Sequence, residues 1–145
     1  LFGAPDIDAT AVLATMQKMA PQWLAGCVLR PCWFEPTFHK HAHALCQGIQ
    51  IHVDIAGQYE HHILQPWRLM ALAFKAIRAL QPDYLLWRDF AYEYEQGRLA
   101  IDLINGSELL REWVDDAAAL PGDLDVLAKA DESAWCETRQ PHLLY

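Results

Sequence analysis

No two of the four cysteines, Cys27, Cys32, Cys46 and Cys136, stand in a C-x-x-C pair, so the ligand spacing of a zinc ribbon is missing. In a chain with 53% hydrophobic residues they are expected as buried free thiols rather than as a disulfide framework. No apolar run approaches the roughly 20 residues that cross a bilayer. The longest, Leu69 to Phe74, is closed off by Arg68 and Lys75, which excludes a membrane-spanning helix. Low-complexity tracts are absent too, so the chain should fold. Neither G-x-S-x-G nor a glycine-rich phosphate loop occurs, and with them go the nucleophile elbow and the nucleotide cradle. Positive charge is scarce: 11 Lys and Arg against 19 Asp and Glu give a net charge of −8. That balance does not suit the neutralisation of phosphates on which nucleic-acid binding rests. The opening Leu1-Phe2-Gly3 has no initiator methionine and no secretory signal pattern, so a fragment of something longer, or a processed product, is expected.

The 145 residues suit one domain with a real core. Asp8 is placed to cap a helix whose apolar positions Ala9, Val12, Leu13, Met16 and Met19 recur at helical spacing, with Pro21 beyond its end. A strand is expected over about Cys27 to Phe34, at an edge or with a bulge because Pro31 cannot donate to a ladder. A second is expected from about Gly48 to Asp54, with an irregular loop between them. Pro66 opens a long helix ending near Gln81, mostly buried, whose Arg68, Lys75 and Arg78 form one exposed basic edge. Residues 83–106 read as aromatic and irregular. Ser107 is expected to cap a helix with Leu109, Leu110, Trp113, Val114 and Ala117 inward. Asp123 is expected to cap a last helix with Leu124, Leu127, Ala134 and Trp135 inward, and the end from Pro141 reads as extended. From Asp102 to Glu137 ten acidic and two basic residues give −8, which reads as a solvated helical face. The order αββααα indicates an α+β domain, a small mixed sheet with helices packed on it.

The stretch from Arg30 to Val53 holds four of the seven histidines and ends in a two-residue alternation, Ile49, Ile51 and Val53 against Gln50, His52 and Asp54. Three chemistries are open to it. His39, His41 and His43 would share one face of an extended segment and invite a metal, although one run rarely encloses an ion by itself. Among carboxylates, Glu35, Asp54, Glu93, Glu95 and Asp102 are available for acid–base work on a glycoside, yet no spacing marks a pair. Cys46 with His52 would make a thiolate–imidazole couple, though the alternation favours a buried thiol.

The run Arg30-Pro31, Phe34-x-Pro36-Thr37-Phe38-x-Lys40-His41 and Cys46-x-Gly48-Ile49-Gln50-Ile51-His52-Val53 closely resembles the signature of the exo-β-N-acetylmuramidase family (NamZ- or YbbC-like proteins). Leu1-Phe2-Gly3-Ala4-Pro5-x-Ile7-Asp8 at the start is similar to that family's inter-domain segment. Tyr92-Glu93-Tyr94-Glu95, Ile101-Asp102-Leu103 with Gly106-Ser107, and Arg139-x-Pro141-x-Leu143-Leu144-Tyr145 follow its pattern as well. Three places depart from it: His39, where the pattern has a small hydroxyl residue, His43, where it has glycine, and Asp54, where the strand commonly exits through Thr-Asp.

The resemblance implies the C-terminal domain of a two-domain protein whose larger N-terminal Rossmann-like domain is absent here and carries the main catalytic carboxylate. It further implies a cleft that takes N-acetylmuramic acid from the non-reducing ends of peptidoglycan-derived muramyl saccharides, in the periplasm or outside the cell, with no cofactor and no metal. The fragment by itself would be inactive or nearly so. The lactyl carboxylate of that sugar needs a local cation, and Lys40, His41 and His52 are the donors at hand. Phe38, Tyr92 and Tyr94 would supply flat apolar surface for the ring. The alternative is a non-catalytic sugar- or protein-binding module with the same fold.

Overall fold

The computed structural model describes residues 1–144. Along the chain run β1 (Phe2–Ala4), α1 (Ala9–Met19), a 3₁₀ turn (Pro21–Leu24), β2 (Val28–Phe34), β3 (Cys46–His52), α2 (Pro66–Leu80), α3 (Ala100–Asn105), α4 (Leu109–Asp115), α5 (Pro121–Arg139) and a final 3₁₀ turn (Gln140–His142). The fold is α+β as expected. The sheet, however, has three strands in the order β1-β3-β2 and is antiparallel throughout rather than mixed. Strands β2 and β3 are joined by a loop with no crossover helix, and such a connection returns the chain antiparallel. Strand β1 was not anticipated, because three residues centred on a glycine carry almost no alternation signal. Pro31 lies on an edge strand, where the lost N–H is tolerated.

The two faces of the sheet differ. On the inner face Ile49 is fully buried, and Leu29 and Ile51 pack against the core. On the outer face Gly3 stands opposite Gly48, and the Phe34 ring covers both. A Cβ would lie 2.8 Å from Phe34 Cε1 at Gly3 and 2.6 Å at Gly48. The start of α1 is tied to the sheet. Asp8 Oδ1 accepts from the N–H of Thr10 and Ala11 at 2.9 and 3.0 Å, and Gln47 Oε1 accepts from that of Ala9 at 3.3 Å. Three of the helix's orphan donors are thereby satisfied.

Helix α2 is the centre of the molecule, with α1 on one side and α4 on another. Its expected exposed basic edge is in fact buried: Arg68 is 7% exposed and Lys75 5%. Arg68 donates to Asp125 Oδ1 at 2.8 Å and to Glu132 Oε1 at 2.6 Å. Lys75 Nζ donates to the carbonyl of Trp113 at 2.7 Å and to that of Asp116, and Arg78 Nε to Asp115 Oδ1 at 2.8 Å. The acidic last third is therefore not merely a solvated face, since it supplies partners to α2. Asp102 is likewise internal, 2% exposed, and holds Arg111 at 2.9 Å. Buried ionic groups need such partners to offset lost hydration.

Several local expectations shift. Residues 83–106 contain α3, which ends at Gly106 in the left-handed conformation (φ 84°) that glycine adopts freely. Ser107 does not cap α4: Glu108 occupies that position, without a side-chain cap bond. Leu110, Trp113 and Val114 are buried there, while Leu109 is half-exposed and Ala117 lies past the helix end. Asp123 does serve α5, from its third position, accepting from the Leu120 N–H at 2.8 Å. Leu124 is buried, but Leu127, Ala134 and Trp135 are exposed. Residues 140–142 turn rather than extend, and Tyr145 lies outside the described residues. All four cysteines are free, with Cys46 buried, Cys27 and Cys32 half-buried and Cys136 exposed. No described helix is long and apolar enough to cross a membrane.

Candidate functional site

The sequence candidates fall into three places. The first is the turn between β2 and β3. His39, His41 and His43 have φ values of 60°, 60° and 62°, while Lys40 and Ala42 between them do not reach positive φ. The backbone thus reverses at every second residue instead of running extended, so the three imidazoles do not share a strand face. Among the described residues no three His, Cys, Asp or Glu side chains gather closely enough to hold a metal ion. The turn is closed by His43 N–H to Pro36 O at 2.9 Å and Ala44 N–H to His41 O at 3.0 Å. The N–H groups of Lys40 and His41 have no acceptor among the described residues. Where residues of opposite backbone handedness alternate, successive free amides can line an anion-binding concavity. Lys40 and His41 are exposed beside it, and Phe38 stands 71% exposed with its ring edge-on to His39 at 5.0 Å. His43 Nδ1 lies 3.8 Å from Glu35 Oε1.

His52 is in a second place. It pairs with Val28, while Cys46 at the other end of the strand pairs with Phe34 and borders the turn. Six residues of strand, roughly 20 Å, separate those ends. His52 Nδ1 lies 3.6 Å from Asp54 Oδ1, and on the same face Arg30 Nη2 donates to Gln50 Oε1 at 2.5 Å. The Cys46–His52 couple does not form: the Cys46 thiol is buried at the opposite end and donates to Ala44 O at 3.4 Å. Arg30 was missed as a candidate cation, though its place in the alternation with Cys32 and Phe34 puts it on the open face.

The third place is the loop after α2. Trp87 packs edge-on against Phe74 at 5.6 Å and donates to Asp115 Oδ2 at 2.8 Å, anchoring the loop. Tyr92 is half-buried and pairs with Glu95 across a tight turn whose Glu93 has φ 54°; Tyr94 at the tip is fully exposed. The Arg88 guanidinium lies 4.6 Å over the Phe90 ring, which meets Tyr92 edge-on at 6.2 Å. No hydrogen bond, ion pair or ring contact among the described residues joins Tyr92 or Tyr94 to the turn bearing Lys40. Of the five candidate carboxylates, Asp102 is committed to Arg111, and the other four are exposed.

The groups with displaced pKa values serve the fold. Burial lowers the Lys75 amine, partly countered by Asp116, Asp115 and Asp123. It raises the Cys27 thiol, and the Tyr84 hydroxyl with help from Asp6 and Cys46. Hydrogen bonds from Lys129 and then Arg68 hold the Asp125 carboxyl low. The turn at residues 38–43 thus offers an ammonium, imidazoles and free amides beside one exposed phenyl ring. That arrangement can hold an anion against an apolar face.

Set beside known proteins, residues 1–145 match throughout the family described as "Exo-beta-N-acetylmuramidase NamZ, C-terminal". Over the whole chain it is 26% identical to the peptidoglycan beta-N-acetylmuramidase NamZ of Bacillus subtilis (strain 168), of which it spans 31%. A solved DUF1343 family protein from Bacteroides fragilis NCTC 9343 has a similar fold over 91% of this chain and 33% of its own, with a TM-score of 0.55 at 18% identity. The chain spans about a third of the length of the relatives it matches.

Proposed function

The chain belongs to the family of NamZ C-terminal domains, and from that premise we propose that residues 1–145 form one wall of a saccharide cleft in a longer peptidoglycan exo-N-acetylmuramidase. The match along the whole chain carries this reading. In it, the turn at Phe38, Lys40 and His41 receives terminal N-acetylmuramic acid. Lys40, with the free amides of Lys40 and His41, binds the lactyl carboxylate, and Phe38 lies against the sugar ring. Charge-assisted bonds to a carboxylate are the strong ones in such a contact. Tyr92 and Tyr94 add apolar surface, and His52 serves the far end of the hairpin. The principal catalytic carboxylate lies on the Rossmann-like domain that precedes this one, and the protein works in the periplasm or outside the cell, where the polymer is.

Hydrolysis of a chromogenic N-acetylmuramide tests the reading. The full-length protein should turn it over, and residues 1–145 alone should not; robust turnover by the fragment would move the catalytic carboxylate onto this domain. In the full-length protein Lys40→Met should raise KM for the muramide roughly 10- to 100-fold, the equivalent of about 1.5–3 kcal/mol for a charge-assisted bond. Binding of N-acetylglucosamine, which lacks the lactyl group, should be unaffected. Unchanged muramide kinetics would point instead to a non-catalytic docking module.

A further inference from the structure

The outer face of the sheet carries a cation of its own, apart from the turn. On that face Arg30, Cys32 and Phe34 of β2 stand across from Gln50, Gly48 and Cys46 of β3. At the end bordering the turn, the half-buried Phe34 ring lies over Gly3 and Gly48, so the surface there is a flat ring on bare backbone. Four residues back along β2, Arg30 is exposed, and its Nη2 donates to Gln50 Oε1 at 2.5 Å. Among the described residues no carboxylate pairs with the guanidinium, and its remaining N–H groups are uncommitted. Asp54, past the end of β3, lies against His52 Nδ1 at 3.6 Å rather than against Arg30. Four residues of strand, roughly 13 Å, separate Gln50 from Cys46 at the border of the turn. Between the cationic turn and Arg30 the face is uncharged: Phe34, the glycine pair and half-buried Cys32.

We propose, resting on the saccharide reading of the turn, that Arg30 forms a second anion subsite, for the lactyl carboxylate of the muramyl residue two units beyond the terminal one. Charge and spacing select that ligand. The glycan of peptidoglycan alternates N-acetylmuramic acid with N-acetylglucosamine, so a carboxylate recurs at every second ring and the ring between is neutral. Two cations separated by an uncharged, partly aromatic surface match that repeat, and the apolar face of the middle sugar lies on the Phe34 and glycine floor. Gln50 holds the guanidinium before any ligand arrives, which lowers the cost of ordering it on binding. The N–H groups left over are enough to take both oxygens of a carboxylate, the geometry in which arginine binds carboxylates most strongly.

Hydrolysis of peptide-free muramyl saccharides by the full-length protein tests this. A trisaccharide with N-acetylmuramic acid at both ends should show a KM roughly tenfold below that of the disaccharide of N-acetylmuramic acid on N-acetylglucosamine, the effect of one added charge-assisted contact. Arg30→Met should abolish that advantage while leaving the KM for the disaccharide and the urea midpoint as in the wild type. Arg30→Lys, which keeps the charge without the fork, should retain part of it. Equal KM for the two saccharides in the wild type overturns the proposal, as does an advantage that survives Arg30→Met or appears only when a stem peptide is attached. A rise in KM for the disaccharide as large as that for the trisaccharide also overturns it, because the guanidinium would then serve the terminal sugar. The saccharide reading itself fails by a different sign: neither saccharide is turned over, or Lys40→Met leaves the KM of both unchanged.

Discussion

Lys75→Met probes the least expected feature of the fold, a buried amine at the centre of α2. Methionine keeps most of the stem's volume, so the change removes the ammonium with little change in packing. Its Nζ now bonds the carbonyls of Trp113 and Asp116, the last turn of α4, and lies 4.9 Å over the Trp113 ring. Leaving a buried carbonyl without a donor costs about 1–3 kcal/mol, and the lost cation–π contact about 1 more. Against this, the variant no longer has to desolvate a charge, the dominant cause of the lowered Lys75 pKa. The expected net loss is about 2 kcal/mol at pH 7, read as a shift in urea midpoint at unchanged slope. The pH dependence sharpens the test. Because the folded-state pKa lies below the ordinary 10.5, the unfolded chain binds more protons between the two values, and stability rises with pH there. The gap between wild type and Lys75→Met should therefore widen as pH climbs toward 10.5. A variant as stable as wild type, or a gap that narrows with pH, would refute the assignment of Lys75 as the cap that joins α2 to α4.

Four further outcomes follow from the same structure. Asp125, held low by Lys129 and Arg68, contributes stability that is present above its unfolded pKa of about 3.9 and lost as pH falls toward the folded value. The deficit of Asp125→Asn in acid titrations should accordingly shrink below about pH 4. Gly48→Ala would drive a Cβ to 2.6 Å from Phe34 Cε1 and should lose about 2–3 kcal/mol in denaturation, at the upper end of overpacking. Gly122→Ala, with nothing within 4 Å, should be neutral or slightly stabilising in the same assay. His43→Gly relieves a left-handed residue at φ 62° and should raise stability by roughly 0.5 kcal/mol, net of glycine's extra chain entropy.

Residue pattern and family resemblance made much of this molecule legible before its coordinates. Asp8 followed by Val12 and Met16 marked α1, and Pro66 with the apolar run after it marked α2, because capping and periodicity act within a few residues. The alternation around Ile49 and Ile51 marked β3 for the same reason. Local reasoning failed where the deciding partner is distant in the chain. Arg68, Lys75 and Arg78 looked like a solvated edge, since nothing near them in sequence is acidic; their partners come from α4 and α5. Trp135 looked like core because its spacing from Leu124 and Ala128 is right, although the body of the domain ends before reaching it. In the candidate site, Lys40, His41 and Phe38 were placed together by adjacency. That the turn reverses at each of three histidines, and that His52 sits at the other end of the strand, could not be read from spacing.

The sequence by itself determined the class of the domain, its family, the starts of α1 and α2 and the strand with its buried face. Each of these rests on local backbone preference and on the burial of one periodic face. Only the tertiary structure decided that the basic stripe of α2 and the acidic last third answer one another. Only it showed the sheet to be antiparallel around a glycine pair covered by Phe34, and the cationic turn to stand apart from His52. Those outcomes depend on which surfaces meet across long stretches of chain, as Arg68 meets Asp125 and Glu132, 57 and 64 residues away. No one-dimensional pattern encodes that meeting, because it is the packing of the whole core that brings them within reach.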